Sequence, residues 1–471
     1  MKRKVWFFVI AAPLVAVGVL LFVGARENPD YVRAAKLLPE AKQRAREVFG
    51  PLTWEEYRAE KGIVHRDDTS KWRRIERSIP DDLWDFRWLD PPEPEKYGEV
   101  FEANRAWMLG LSSETENLVF HQPYPERLFD ESLIPAKNLI NMLATGIIGA
   151  ADVGDVDAVR QIAETAWNIL EKWSEEPSTL HATMVISGVS VITEALLTAV
   201  VRNIENERLL AVAQEFIANA PTPPELRLTL AGDARSNLEF FRSLRDEGLE
   251  NLNQTLNSIS DVAPILAPPA SSTPTLWDDV REYVSDLFND NANTRNAGKH
   301  AFDALEGRLW EVEVDVLTYY EAVQQDPSSN RQKSKKFVDE LAAKTDISYE
   351  YAQASVTALA AFRSIQHDLT RDLALLALSI ISENSSVESL PEYLTDDRLF
   401  PDPFAGTNIL YRKTSTGFVV YSRSDDGADG GFSNIPANLS LRQNVNITYD
   451  VLRTDYGIIV NYEIPEATAP P

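Results

Sequence analysis

Three carboxylates close to the carboxyl end of the chain are spaced for binding a hard cation. Asp425, Asp426 and Asp429 lie in the glycine-rich run DDGADGG at 425–431. Glycine permits the backbone turns that would aim several carboxylate oxygens at one point, and Ca²⁺ takes six to eight oxygen ligands. The spacing therefore predicts a calcium site. The alternative is an acidic β-turn that holds no ion.

The segment before this loop has the residue types of a tight turn followed by a hairpin. Asp402-Pro403-Phe404-Ala405-Gly406 combines an Asp-Pro pair with a glycine, which is typical of a tight turn. Residues 408–413 and 418–423 then form two strand-like runs around Thr414–Gly417, which predict a β-hairpin. We expect the aromatic side chains of this hairpin to cover the turn.

Residues 402–431 resemble the C-terminal segment of type II secretion pseudopilins. They resemble even more closely the same segment in uncharacterised membrane-anchored helical proteins of planctomycete-type bacteria. The shared pattern is D-P-F-x-G, Y-R, G-F, Y-S and D-G-x-D-x-G-G. In major pseudopilins the corresponding loop binds calcium, so the resemblance implies Asp425, Asp426 and Asp429 as ligands, with Ser422 a weaker candidate.

The helical part, roughly 135–245, is similar to the helical domain of the same planctomycete-type proteins. The similarity is carried by Gly154–Ala158 between two helices and by Glu176–Leu180 at the start of the next helix. The amino terminus departs from the pilin pattern, because the apolar run lacks both a Gly-Phe-like processing site and the following Glu. The resemblance therefore implies architecture and not assembly into a pseudopilus.

Motifs of other catalytic classes are absent from the sequence. It contains no G-x-G-x-x-G, G-x-x-x-x-G-K-[ST], G-x-S-x-G or H-E-x-x-H. No two of the five histidines have ligand spacing, and we interpret them as surface or core-edge residues: His65, His121, His181, His300 and His367. The alternative function is an envelope hydrolase that uses paired carboxylates in a cleft between helices.

The first 25 residues have the composition of a membrane anchor. Three cations at positions 2–4 precede an uncharged, mostly apolar run from Val5 to Ala25. About 21 residues at about 1.5 Å each span roughly 32 Å, enough for a bilayer core of about 30 Å. The cations predict a cytoplasmic N-terminus in a bacterial inner membrane, with the bulk of the chain outside. A cleaved signal ending at Ala25 is the alternative.

Composition narrows the classes of partner. The chain has 471 residues, no cysteine and a formal net charge of −26. It therefore forms no disulfide, and its negative field opposes binding to nucleic acid. Unidentified envelope proteins are the expected partners.

A tryptophan-rich stretch, 54–107, is interpreted as an anchor onto the helical core, with a carbohydrate or interfacial surface as the alternative.

Hydrophobic periodicity predicts a mainly α protein: a transmembrane helix, an extracytoplasmic antiparallel helical-hairpin array and a small antiparallel sheet at the end. Helices are expected at 28–50, between 135 and about 260, and at 276–289, 298–325, 331–344 and 348–382. Residues 444–453 and 456–464 predict a second hairpin.

The sequence predicts that the chain is divided into six segments. They are an anchor (1–25), a charged helix with a tryptophan-rich irregular segment (26–130), a helical domain (131–260), a linker (261–275), a second helical segment (276–395) and a β tail (396–471).

Overall fold

The structure is a computed structural model, and it is mainly helical with a small antiparallel sheet of four strands. It describes residues 29–62, 68–85, 94–119, 133–175, 177–247, 348–423, 444–449 and 456–462, and helical residues 306–307, 309–311, 313–319, 321–322 and 325. The predicted anchor (1–25), the linker (261–275), the helices at 276–289 and 331–344, and the three calcium candidates Asp425, Asp426 and Asp429 lie outside the described residues.

The helices follow the predicted periodicity closely. In chain order they are α1 (Pro29–Phe49), α2 (Trp54–Lys61), α3 (Thr69–Arg77), α4 (Asp81–Asp85), α5 (Tyr97–Thr115), α6 (Leu133–Asp152), α7 (Val156–Ser174), α8 (Thr179–Arg202), α9 (Glu207–Ala218), α10 (Leu226–Glu247) and α11 (Ser348–Glu383). The expected helices at 28–50 and 348–382 are confirmed. The acidic alternation at 311–316 falls within the helix expected at 298–325 and is helical at each described position.

Local capping chemistry sets the turn between α6 and α7. Gly154 takes φ +78°, a left-handed conformation that favours glycine. The Asp155 carboxylate then accepts a hydrogen bond from the Ala158 amide at 3.0 Å and caps α7. The predicted helix break near Gly154 is confirmed.

Helices α6 and α8 form the centre of the core, packing against each other and against α5, α7 and α11. Of all the described residues, α8 contains the one segment that is long and apolar enough to cross a membrane, His181–Arg202. Within it, 78% of the most apolar window is buried inside the protein. This burial identifies α8 as a core helix, because its neighbours already cover the apolar surface that a membrane span would expose.

The sheet contains the two predicted hairpins. Its strands are β1 (Leu410–Lys413), β2 (Gly417–Ser422), β3 (Val445–Tyr449) and β4 (Tyr456–Asn461), in the order β1-β2-β4-β3 and antiparallel throughout. One face, which we call the inner face, joins the helical core. Its buried side chains are Phe418, Val420, Val445, Tyr456, Ile458 and Val460.

Candidate functional site

The predicted turn at 402–406 is a structural joint between the helical body and the end of β2. The Asp402 amide donates to the Thr407 carbonyl at 2.6 Å, and the Phe404 amide donates to Asp402 Oδ1 at 2.9 Å. Gly406, at φ +66°, completes the reversal. We call residues 402–407 the Asp402 turn.

The Asp402 carboxylate is 3% exposed and also binds the end of β2. Ser422 Oγ donates to Asp402 Oδ1 at 2.8 Å, and the Arg423 amide donates to Oδ2 at 2.9 Å. Arg423 Nη1 also donates to Thr407 Oγ1 at 2.5 Å. Because three donors already occupy the two carboxylate oxygens of Asp402, this motif residue acts in structure.

Ser422, the weaker candidate ligand, is held away from solvent. It is fully buried, and its hydroxyl proton is engaged by Asp402. The described chain stops at Arg423, before the three aspartates. The first part of the motif, residues 402–423, therefore has a structural role. Its hydrogen bonds hold the backbone at Arg423, just before the acidic segment begins.

A second polar group lies at the same end of the inner face, where β4 meets α8 and α11. Tyr456 is 4% exposed, and its hydroxyl lies 2.6 Å from Thr370 Oγ1. Thr370 already donates its one hydroxyl proton to the Gln366 carbonyl at 2.7 Å, so Tyr456 donates to Thr370. The side chains of Gln366 and Ser190 also interact with the Tyr456 hydroxyl. We call these four residues the Tyr456 network.

The properties of the Tyr456 network indicate that it docks the sheet on the helices and does not take part in catalysis. Burial raises the pKa of Tyr456, and the hydrogen bonds between its hydroxyl and the side chains of Thr370, Gln366 and Ser190 act in the opposite direction. A buried phenol that keeps its proton is a poor base. Its hydrogen bonds instead give the sheet one preferred orientation on α8 and α11.

His367 is a buried polar group next to this network. It is 2% exposed, and neither ring nitrogen has a hydrogen-bond partner. Burial is the largest influence and lowers the pKa of His367, with the neighbouring Asp368 raising it and Arg371 lowering it. A neutral imidazole is therefore the form that the folded protein holds.

We expect His367 to make the protein sensitive to mild acid. Its pKa is lower in the folded chain than the ordinary value of about 6.5, so between these two values the unfolded chain binds more protons. The free energy of unfolding should therefore fall as the pH drops below about 6.5, by about 1.4 kcal/mol for each unit of difference between the folded and unfolded pKa. Urea unfolding at a series of pH values measures this slope.

Two substitutions separate this effect from general acid denaturation. His367→Leu should flatten the pH profile below about 6.5 without loss of stability at pH 7, because leucine leaves no unpaired nitrogen. His181→Leu should lower stability at pH 7, because it removes a 2.7 Å contact between His181 Nδ1 and Ser178 Oγ. An unchanged slope in His367→Leu would contradict the prediction.

The tryptophan-rich stretch is fastened to the helical body through a buried arginine on α10. Arg235 is 1% exposed and donates to the Pro51 carbonyl through Nε at 2.9 Å and Nη2 at 2.7 Å. Its guanidinium lies 4.5 Å from the centroid of the Tyr57 ring and 5.6 Å from that of Trp54. We call Pro51, Trp54, Tyr57 and Arg235 the Arg235 clamp. Burial lowers the pKa of Arg235 to about 10, so the guanidinium stays charged at neutral pH.

The other tryptophans divide between core and surface. Trp72 is fully buried and donates to the Val119 carbonyl at 3.0 Å, whereas Trp84 is 38% exposed. Trp107 packs against the core and donates to Ser78 Oγ at 3.1 Å. Trp88 lies outside the described residues. The contacts of Trp54, Trp72 and Trp107 favour the anchoring interpretation over a carbohydrate surface.

Buried carboxyl groups that are already paired are poor candidates for the acid and base of a hydrolase. Glu306 and Glu313 are both buried, but Glu306 Oε1 forms an ion pair with Lys42 Nζ at 2.8 Å. Among the described residues that line a groove along α1, one has a carboxyl group, Glu47.

Two further carboxyl groups have shifted pKa values. Hydrogen bonds lower the pKa of Glu56 and Glu215, the opposite direction to that of a general acid. Among the described residues, no three His, Asp or Glu side chains are grouped to hold a metal ion. The predicted metal ligands lie outside this part of the chain.

Sequence reasoning missed Arg235 and the Tyr456 network. Arg235 carried a readable signal, because it occurs on the α10 face whose buried residues are Leu230, Ala231, Ala234 and Leu238. An arginine among such residues indicates a buried partner. Tyr456 carried no equivalent signal, because an aromatic residue at the start of a strand is common in sheets.

Comparisons of the chain with protein-family models, with curated proteins and with solved structures find no match. Its function is therefore inferred from its own residues and geometry.

Proposed function

We propose that this chain is a single-pass membrane protein of the bacterial envelope, with residues 5–25 in the inner membrane and the helical body outside. In this role it binds other envelope proteins or organises them. The observation that carries the proposal is the uncharged run from Val5 to Ala25 behind three cations. Helix α8 does not compete for the membrane, because it is buried in the core.

A binding role is favoured over hydrolysis because several polar groups of the described chain are already paired. Asp402 is occupied by three donors, and Glu306 is paired with Lys42. Arg202 pairs with Asp152 through two contacts, Nε–Oδ1 at 2.9 Å and Nη2–Oδ2 at 2.6 Å. These groups hold elements together, and the net charge of −26 is the remaining feature that would attract partners.

The absence of cysteine makes the topology directly testable. Single cysteines are placed at Lys2 and at Ser415, an exposed residue in the turn between β1 and β2. A membrane-impermeant maleimide should label Ser415→Cys in intact spheroplasts and Lys2→Cys only after the membrane is opened. Labelling of Lys2→Cys in intact spheroplasts would overturn the proposed orientation.

The same samples distinguish an anchor from a cleaved signal. An uncleaved anchor keeps the full mass of 52.8 kDa in the membrane fraction. Cleavage after Ala25 would release a shorter chain into the soluble fraction. That result would reject the anchor while leaving the external location of the body in place.

We also propose that Ca²⁺ stabilises the tail through Asp425, Asp426 and Asp429. Carboxylates among glycines suit a hard cation, and Asp402 holds the backbone of Arg423 two residues before the first of them. At a calcium concentration of about 100 times Kd, the gain in unfolding free energy should be about 2.7 kcal/mol. Calorimetry with calcium and with EDTA measures it.

The matched control replaces the three aspartates with asparagine. The D425N/D426N/D429N chain should melt at the same temperature with calcium and with EDTA. Asp396→Asn, an exposed aspartate outside the loop, should keep the calcium response. Equal melting temperatures of the unmodified chain in calcium and EDTA would remove the ion site and leave the membrane proposal untouched.

A further inference from the structure

Strand β4 is attached to α11 at both of its ends by tyrosine hydroxyls. At its start, the Tyr456 hydroxyl donates to Thr370 Oγ1 at 2.6 Å. Just beyond its last residue, the Tyr462 hydroxyl donates to the Asn384 carbonyl at 2.8 Å. Thr370 and Asn384 lie about 21 Å apart along the helix axis, and Tyr456 and Tyr462 lie about 20 Å apart along the strand. The strand therefore runs along α11, with one attachment at each end.

The register of the sheet assigns parts of β2 to these two ends. Ser422 pairs with Tyr456, and Gly417 pairs with Asn461. We call residues 420–422 and 456–458 the Tyr456 end, and residues 417–419 and 459–461 the Tyr462 end. The two ends can be followed separately, because each contains its own backbone amides.

The two attachments differ in the ionisable group beside them on α11. His367 is three residues before Thr370, and side chains at this spacing are neighbours on a helix. It also directly follows Gln366, whose side chain interacts with the Tyr456 hydroxyl. In the last turn before Asn384, residues 380–383, the ionisable group is Glu383, which is exposed and pairs with Arg398 at 2.9 Å. A buried group that titrates in mild acid therefore lies beside the Tyr456 attachment.

His367 has no acceptor for an added proton within α11. The residue is 2% exposed, and neither Nδ1 nor Nε2 has a hydrogen-bond partner. An imidazolium donates from both nitrogens, and a buried charge without partners is costly. The adjacent Asp368 has 61% of its side chain exposed and lies 3.4 Å from Arg371 Nη1. Arg371 itself carries a charge of the same sign as the imidazolium.

The strand β4 and the helix α8, which pack against α11, do not supply an acidic partner for His367. β4 contributes the Tyr456 phenol, and the one carboxyl group of α8 is Glu194. The charge of Glu194 acts on Tyr456 but is not among the influences on the pKa of His367. The other ionisable residues of α8 have different contacts, since His181 meets Ser178 and Arg202 pairs with Asp152.

The other described elements that pack most closely against α11 are α9, α10 and β2. The buried residues of α9 are all apolar, and β2 turns Phe418 and Val420 toward the helical core. The charged residue that α10 is shown to bury, Arg235, is held in the Arg235 clamp. No acid of the described elements therefore faces His367, so an imidazolium formed there has to reach water.

We propose that protonation of His367 releases the Tyr456 end of the sheet from α11 in mild acid, while the Tyr462 end stays docked. The route to water past Arg371 is opposed by a like charge. Movement of residues 366–370 opens another route, and it separates Thr370 and Gln366 from the Tyr456 hydroxyl. The result is a local opening at one end of the sheet. The inference goes beyond the membrane role and does not depend on calcium binding.

Hydrogen exchange of the full chain in low, non-denaturing urea tests this opening. Exchange through global unfolding accelerates with urea, whereas exchange through a local opening exposes little surface and does not. After correction for the intrinsic effect of pH, amides of the Tyr456 end should exchange through a urea-independent opening. Its equilibrium constant should rise by up to about tenfold for each pH unit below about 6.5. Amides of the Tyr462 end should show no such opening.

A matched pair of tyrosine variants distinguishes the two attachments at pH 7.5. Tyr456→Phe should raise the opening constant of the Tyr456 end about fivefold, because one buried hydrogen bond is lost. Tyr462→Phe should have the corresponding effect at the Tyr462 end and leave the other end unchanged. His367→Leu should abolish the pH dependence at the Tyr456 end and keep its protection at pH 7.5.

Two results would overturn the proposal. One is an equal loss of protection at both ends in acid, because the whole sheet would then undock or unfold together. The other is a pH dependence at the Tyr456 end that persists without the imidazole. His367→Met supplies a second neutral side chain that adapts to the same space if the leucine variant does not fold.

Discussion

Replacing Asp402 with alanine should lower the free energy of unfolding by about 3–4 kcal/mol. The substitution leaves the Phe404 amide, the Ser422 hydroxyl and the Arg423 amide without their acceptor in a buried place. Each unsatisfied buried group costs about 1–3 kcal/mol, reduced where the turn relaxes and admits water. Urea denaturation of the full chain, followed by circular dichroism, measures the loss.

The loss should be local as well as global. Hydrogen exchange should rise first in β2 and at the start of β4, because Ser422 pairs with Tyr456 in the sheet. Asp402→Asn should lose about half as much stability, since one oxygen remains for Phe404 and Ser422 while an amide replaces the acceptor of Arg423.

Asp396→Ala is the matched control, because Asp396 is an exposed aspartate in the same connection between α11 and β1. Its effect should stay within about 0.5 kcal/mol. A comparably small effect of Asp402→Ala would show that the buried hydrogen bonds of the Asp402 turn do not hold the sheet.

The second large effect is expected at Arg235. Arg235→Ala should lower the free energy of unfolding by about 3 kcal/mol, because it opens a cavity between Trp54 and Tyr57 and leaves the Pro51 carbonyl without its donors. Hydrogen exchange should increase in α2 before it increases in α6 or α8, since the clamp joins the tryptophan-rich stretch to α10.

Two further variants identify the cause of the loss at Arg235. Arg235→Met fills the space but donates no hydrogen bond, so its cost should be about 1–2 kcal/mol. Arg227→Ala, an exposed arginine in the first turn of the same helix, should change stability by less than about 0.5 kcal/mol. If Arg235→Ala and Arg227→Ala behave alike, the clamp carries no stability.

Fold class and helix bounds were predictable because their signals are local. Val159, Ile162, Ala166 and Ile169 recur at spacings of three and four residues, and they form the buried face of α7, where each is fully buried. Asn206 and Asn219 cap α9, and asparagine at a helix end is a local signal. The hairpin runs became strands because turn residues and apolar runs are read over a few positions.

The candidate site was predictable only in part. The sequence pattern identified residues 402–431 as a motif but indicated only that Asp402 begins a turn. In the fold its carboxylate binds residues 20 and 21 positions away. These hydrogen bonds form because β2 folds back beside the turn. A local sequence pattern does not specify that contact. The role predicted for Asp425, Asp426 and Asp429 stays a prediction.

By itself, the sequence determined the elements of this protein: the apolar run at 5–25, the helical periodicity, the hairpins, and a negative charge that opposes nucleic acid. Tertiary structure alone decided which polar residues are buried and what they bind. Arg235 reaches a carbonyl 184 positions away, and Tyr456 reaches Thr370 at a separation of 86. The reason is physical: local periodicity follows from steric and hydrogen-bonding rules over one or two turns, whereas a buried hydrogen bond needs a partner brought into place by the packing of the whole core.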